Sequence, residues 1–267
     1  MKQKAVFFDI DGTLFEHGKP VLDSTKEAIS TLRKRGHLAF VCSGRSRVMI
    51  PEKPILEVGF DGVLASCGTY AEYHNRPLFE DKMPAQLVHK VIQAMRTFQT
   101  MYILEGTEAI YYDEAAPAHT YDDWYIKEIQ KNIPGHFLPI GKKVEEVNAC
   151  KLSMQLTEEM TDERVSAVLP ELSLLRHEFS IGELIPKDKS KATGIDQVCK
   201  ALGIAREDTI AVGDSINDVD MLSFAGIGIC MGNGTQPARE AADYVTTPIN
   251  EHGIYHAMEH FGLLDAV

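Results

Sequence analysis

Three short apolar runs in this chain end in the same way. Ala5–Phe8 (AVFF) runs into Asp9, His37–Cys42 (HLAFVC) into Ser43-Gly44, and Thr209–Val212 (TIAV) into Gly213-Asp214. Each run is β-rich and continuous rather than alternating, the pattern of a strand buried on both faces of a parallel sheet. Helical stretches separate the runs. Ser24–Arg35 places Ala28, Ile29 and Leu32 on one face, with Asp23 or Ser24 as N-cap and Gly36 as the stop. Lys189–Leu202 repeats the pattern with Ile195, Val198 and Leu202, and Gly203 follows.

Strand–helix alternation of this kind predicts an α/β fold: a Rossmann-like parallel sheet with right-handed crossovers. Ligands of such sheets bind beyond the carboxyl ends of the strands. The three polar strand ends then meet at one edge, and residues far apart in sequence converge there. From about Met83 to Ile185 the chain reads differently. A helical pattern covers Pro84–Phe98, strand-like runs follow at MYILEG, AIYYD, CKLSMQL and LSLLRHEFSIGELI, and YDDWYIKEIQKNI is helical. The expected organisation is a core of residues 1–82 and 186–267, with an α+β cap domain, 83–185, inserted into it.

Composition limits the partners. Among 267 residues the net charge is −12, which argues against a nucleic-acid surface. A small anionic substrate is still compatible, because a metal ion and one lysine reverse the sign locally. The five cysteines (Cys42, Cys67, Cys150, Cys199 and Cys230) are scattered and form no CxxC, so reduced thiols in a cytoplasm are expected. The apolar run after Lys2 and Lys4 is broken at Asp9, too early for a signal peptide, and no stretch is long enough to span a membrane.

Asp9 and Asp11 carry the first chemical signal. Residues i and i+2 of an extended chain point the same way, so both carboxylates are expected to face one substrate. Gly12 permits a sharp turn after them. A carboxylate can attack a phosphoryl group covalently, given a cation such as Mg²⁺ to offset the repulsion between anions. The second acid can then act as general acid and base. The plainer reading of this pair is a polar turn after a strand. In GDSINDVDML, Asp214 can complete a magnesium site with Asp9, Asp218 can support it, and Asn217 can bond a phosphate oxygen. The alternative is an N-cap cluster on a helix over Ile216–Phe224. Ser43-Gly44 reads as an anion cradle at a helix start. Arg45 beside it is either a phosphate contact or half of a structural ion pair. A lysine in IPKDKSKATG can neutralise the transferring group, and spacing alone leaves Lys187, Lys189 and Lys191 equal candidates.

Four motifs in this order, DIDGTL (Asp9–Leu14), SGR (Ser43–Arg45), SKATG (Ser190–Gly194) and GDSIND (Gly213–Asp218), resemble those of the haloacid dehalogenase (HAD) superfamily. An α/β insert between the second and third motifs is similar to the Cof-type branch, subfamily IIB, as is the tail GNGTQPAREAADYVT. The resemblance implies Asp9 as nucleophile and Asp11 as general acid/base. It implies Mg²⁺ held by the Asp9 carboxylate, the Asp11 backbone carbonyl and Asp214, with Asp218 in support. It implies Ser43, Gly44, Asn217 and Lys191 as phosphate binders, and so selects Lys191 among the three lysines. Where many relatives have Asn-Gly after the third strand this chain has Cys67-Gly68, a departure that bears on substrate contacts rather than on phosphoryl chemistry.

Three further signals are set aside. His252, His256 and His260 recur every four residues near the C-terminus and read as a solvated helix face rather than a zinc site. MGNGTQP has Pro237 where a dinucleotide loop needs its third glycine. YYDEAAPAHTYDDWY reads as a core helix with a wet face more than as a grip for sugar hydroxyls. The resulting expectation is a magnesium-dependent phosphatase of small phosphorylated metabolites such as sugar phosphates, acting through an aspartyl phosphate. A phosphomutase and a catalytically silent phosphometabolite sensor are the alternatives.

Overall fold

The computed structural model describes residues 2–16, 18–116, 123–141, 144–177 and 180–265. Contacts divide the chain into two compact units. The first comprises Met1–Arg45, Ile50–Glu80 and Ser190–Val267, the second Ser46–Met49 and Asp81–Lys189. In chain order the first segment supplies β1 (Ala5–Phe8), α1 (Asp23–Lys34), β2 (Leu38–Cys42), β3 (Gly62–Ala65), β4 (Tyr70–Tyr73) and β5 (Arg76–Glu80). The second unit supplies α2 (Ala85–Thr97), β6 (Tyr102–Glu105), β7 (Ile110–Tyr112), α3 (Asp123–Asn132), β8 (Phe137–Pro139), β9 (Lys151–Gln155), α4 (Asp162–Val168), β10 (Leu172–Arg176) and β11 (Ile181–Pro186). The chain then returns to the first unit with α5 (Lys191–Leu202), β12 (Thr209–Gly213), α6 (Val219–Phe224), β13 (Ile227–Cys230), α7 (Gln236–Ala241), β14 (Tyr244–Val245) and α8 (Gly253–His260).

The first unit is an eight-stranded sheet in the order β14-β13-β12-β1-β2-β3-β4-β5. From β14 to β3 every pairing is parallel, and β4 and β5 extend the edge antiparallel. The burial pattern explains the continuous apolar runs. Val6 and Phe8 of β1 pack with Ile29 and Leu32 of α1 on one face, while Ala5 and Phe7 pack with Ile195 and Val198 of α5 on the other. Both faces are covered, as a parallel sheet requires. Since β1, β2 and β12 are adjacent and parallel, Asp9, Ser43 and Asp214 emerge from the same end of the sheet.

The second unit is a six-stranded sheet in the order β10-β11-β9-β6-β7-β8. Its neighbours are antiparallel except β7 and β8. One face packs Tyr102, Leu104, Leu152, Met154 and Leu184 against Val88, Val91 and Met95 of α2 and Val165 of α4. The other face carries Ile103, with Glu105, Lys151, Ser153 and Glu183 buried or half-buried.

Several local expectations are corrected. Leu22, not Asp23 or Ser24, occupies the N-cap of α1 and makes no side-chain cap bond. Asp23 is the first helical residue, and its carboxylate accepts from Lys26 Nζ at 3.1 Å. The helix expected over Ile216–Phe224 begins as a 3₁₀ turn, Ile216–Asp218, before α6. LSLLRHEFSIGELI is two antiparallel strands, β10 and β11, rather than one run. In YYDEAAPAHTYDDWY, residues 117–122 lie outside the described residues. No helix among the described residues is long and apolar enough to cross a membrane.

Candidate active site

The end of β1 builds the first wall of the site. Asp9 N–H donates to Val212 O at 2.9 Å, which keeps Asp9 in the ladder beside β12, and Asp9 is buried. The chain then turns at once: the amides of Leu14 and Phe15 both donate to Ile10 O, at 3.0 and 2.9 Å. Gly12, with φ of +84°, sits in this turn against Asp214. A Cβ there would lie 2.3 Å from Asp214 Oδ2, so only glycine lets that carboxylate approach the backbone. Thr13 Oγ1 donates to Asp214 Oδ1 at 3.1 Å and orients it.

This turn removes the extended backbone on which the joint placing of Asp9 and Asp11 was expected to rest. The extended conformation stops at Phe8, and the period of two stops with it. Asp11 instead lies half-exposed in a two-pronged pair with Arg45, with Nε to Oδ2 at 2.9 Å and Nη2 to Oδ1 at 2.6 Å. Of the two alternatives for Arg45, the ion pair is the one present in this structure. The Asp11 carboxylate is not part of the acidic cluster.

That cluster is Asp9, Asp214 and Asp218, each offering an oxygen within 4.8 Å of the others. Asp218 is wholly buried, and its two oxygens divide their tasks. Oδ2 accepts from the amides of Asp214 and Ser215, both at 3.0 Å, and fixes the turn after β12. Oδ1 accepts from Lys191 Nζ at 2.6 Å. Lys191, also buried, donates equally to Asp9 Oδ1 at 2.6 Å. Lys191 opens α5, where Ser190 and Thr193 form a capping box. Of the three candidate lysines, it is the one brought to the cluster. Lys189 pairs with Asp81 at 2.7 Å.

Ser43 is buried at the end of β2, and its Oγ accepts from Arg45 N–H at 3.2 Å. The helix start expected after Ser43-Gly44 is absent: the next element is a three-residue 3₁₀ turn, Arg47–Met49. A cradle here rests on the Ser43 hydroxyl and loop amides, not on a helix dipole. A Cβ on Gly44 would lie 4.0 Å from Asn217 Nδ2 and 3.5 Å from Cys67 Sγ, so both side chains border the Gly44 backbone. Cys67, at φ +53°, occupies a left-handed conformation that favours glycine or asparagine.

The electrostatics are unbalanced. Burial, then Asp218, pushes the Asp9 carboxyl up to about 8 against the pull of Lys191. Burial and Asp218 likewise raise Asp214 to about 6. For Lys191 burial alone acts downward, but the attraction of Asp218 and Asp9 outweighs it and holds the ammonium well above its ordinary value. Three carboxylates thus surround one lysine, with hard oxygen donors at close range. That donor set fits a divalent cation of the magnesium type.

Sequence reasoning gave Thr13 and Asn233 no role. Thr13 sits inside the DIDGT stretch, which signals it. Asn233 Nδ2 donates to Gly12 O at 2.8 Å, and its Oδ1 accepts from Ile249 N–H at 2.9 Å, tying the first turn to the C-terminal segment. Nothing local in the sequence marks that tie. The three histidines do not converge. His252 caps α8 and bonds Ser24 Oγ at 2.8 Å, His256 lies 3.8 Å from Glu259, and His260 stacks on Tyr244. Among the described residues they join no group able to hold a metal.

Residues 6–258 match the model of the haloacid dehalogenase-like hydrolase family. The protein YkrA of Bacillus subtilis (strain 168) is 30% identical over 99% of this chain and 100% of its own length. The 5-amino-6-(5-phospho-D-ribitylamino)uracil phosphatase YitU of the same organism is 25% identical, over 98% of this chain and 99% of its own. Among solved structures, the HAD subclass IIB sugar phosphatase BT4131 superposes with a TM-score of 0.83 at 26% identity, covering 98% of this chain and 100% of that one.

Proposed function

The chain belongs to the haloacid dehalogenase-like hydrolases, and from that premise we propose that it is a Mg²⁺-dependent phosphomonoesterase working through an aspartyl phosphate at Asp9. Membership makes it a phosphatase of that family. The observation that carries the finer reading is Lys191 Nζ, set 2.6 Å from both Asp9 and Asp218 inside a cluster that still has surplus negative charge.

In the first step an Asp9 carboxylate oxygen attacks phosphorus. The Oδ–P bond forms, the P–O bond to the leaving group breaks, and Asp11 gives that oxygen its proton. Lys191 pulls Asp9 toward its carboxylate form and neutralises the incoming phosphoryl oxygens. Ser43, the Gly44 amide and Asn217 hold those oxygens in place. Asp9, Asp214 and the Asp11 backbone carbonyl would hold Mg²⁺, with Asp218 in support, and the bound ion supplies Lewis-acid neutralisation of the phosphoryl group. In the second step Asp11 takes a proton from water as the water oxygen attacks phosphorus, and the Oδ–P bond breaks. Asp11 leaves the first step as a carboxylate, serves as the base of the second and recovers its proton there; the Arg45 pair must loosen for it to reach the substrate.

The substrate class is a small phosphorylated metabolite. Sugar phosphates and ribityl-type phosphates are the first to try, since similar proteins named for them span the whole chain. Expected surroundings are a reducing cytoplasm, consistent with five cysteines none of which is joined in a disulfide. The test is phosphate release from a panel of phosphorylated metabolites and an aryl phosphate, with Mg²⁺, with chelator and with Asp9→Asn. Turnover that requires both the ion and Asp9 is expected. Turnover by Asp9→Asn would overturn the reading.

A further inference from the structure

The reading above requires Lys191 to stay fixed while its partners change. A lysine ammonium rides on a flexible four-carbon stem, so its position depends on where the backbone at its base is held. Its place at the start of α5 is unfavourable, because the helix dipole there opposes a cation. The capping box of Ser190 and Thr193 moves with the helix and cannot fix it relative to Asp9. Backbone contacts tie the start of α5 to its neighbours. Gly194 packs on Gly68, where a Cβ on Gly194 would lie 2.7 Å from Gly68 Cα. Another tie is a hydrogen bond: Ala192 N–H donates to Asp220 Oδ2 at 3.1 Å.

We propose that Asp220 is a positioning residue for phosphoryl binding, fixing the backbone beneath Lys191 by accepting the Ala192 amide. Asp218 and Asp220 leave the same turn, two residues apart. Asp218 Oδ1 takes the Lys191 ammonium, and Asp220 Oδ2 takes the amide of the next residue. One short segment therefore holds the lysine at its head and at its base. The other oxygen of Asp220 accepts from Met221 N–H at 2.8 Å, which fixes the carboxylate itself. A carboxylate there also offsets the dipole that Lys191 faces. Asp220 lies outside the DxD, SGR and lysine motifs, and it touches none of the groups assigned above to the phosphoryl oxygens.

The proposal rests on the reading of Lys191 as a phosphoryl ligand, and its test separates the two. The readout is the inhibition constant of inorganic phosphate against an aryl phosphate, with Mg²⁺ on the full chain. A partly unfolded population lowers the amount of active enzyme but leaves that constant unchanged. Asp220→Ala should raise it about tenfold, the scale of one lost hydrogen bond at a buried amide. Asp220→Asn keeps an acceptor oxygen and should stay within about threefold of wild type. Ser190→Ala, which weakens the helix cap but leaves the Asp220 bond, should lower Tm without moving the constant. An unchanged constant in Asp220→Ala would overturn the proposal, as would an Asn variant as weak as the Ala variant. If Asp220→Ala does not fold, amide exchange in the wild type decides: Ala192 N–H should be protected, and free exchange would overturn the proposal. A wild type without turnover would sink the phosphatase reading alone, since calorimetric titration with phosphate still compares the Asp220 variants.

Discussion

Each unit of this protein buries a lysine among carboxylates, and the carboxyls of the two clusters shift in opposite directions. In the first unit Lys191, 2% exposed, stands among Asp9, Asp214 and Asp218, and burial together with like charge raises two of those carboxyls. In the second unit Lys151, 1% exposed, donates to Glu183 at 2.6 Å and lies 3.5 Å from Glu105. Ser153 donates to Glu105, and His177 lies 3.5 Å from Glu183. Burial there acts to raise Glu183, but Lys151 and His177 outweigh it and hold the carboxyl down to about 2. The lesson is that a buried lysine–carboxylate group is not by itself a site. The cluster of the second unit holds its Glu183 carboxyl down and supports a fold. The surplus cluster raises its carboxyls, which makes it the one suited to a further cation.

The same substitution at the two lysines should therefore fail in different ways. Lys151→Met should destabilise the second unit by about 3–5 kcal/mol, because it strands buried carboxylates, as denaturant titration would measure. Lys191→Met should lower kcat/KM by roughly 10²–10³-fold, the cost of losing a preorganised cation at the transferring group. Equal stability losses and unchanged kinetics in both would erase the contrast. A smaller effect follows from the surplus charge. Mg²⁺ at about a hundred times its dissociation constant should stabilise the wild type by ~2.7 kcal/mol, read as a rise in Tm. Asp214→Asn should lose most of that rise. The smallest effect is in pH. Glu183 ionises about 2 rather than 4.5, so its contribution is complete above 4.5 and disappears as pH falls through about 2. On the order of 2 kcal/mol should be lost over that window, and Glu183→Gln should remove that part of the pH dependence.

The parallel sheet was legible because its strands are continuous apolar runs that end in polar turns, and both faces are buried. Asp9, Asp214 and Asp218 were legible because each stands at or just after a strand end that the topology brings to one edge. Spacing could not choose Lys191 over Lys187 and Lys189, since that choice depends on where α5 begins. The Asp11–Arg45 pair was not legible because an i, i+2 rule holds only while the chain stays extended, and the turn begins at Ile10. The edge strand β5 gave no apolar run to read, since Arg76 and Pro77 are exposed. The ties made by Asn233 to Gly12 and by Asp220 to Ala192 join residues 221 and 28 apart, and no local pattern records them.

The central claim is that the carboxylate of Asp9 itself accepts the phosphoryl group. Acid quenching of the enzyme during turnover of an aryl phosphate, followed by peptide mass spectrometry, tests it directly. The account predicts one phosphoryl group on the peptide containing Asp9, in Mg²⁺ and not in chelator. Turnover with that peptide unmodified, or with the phosphoryl group on another residue, would contradict it.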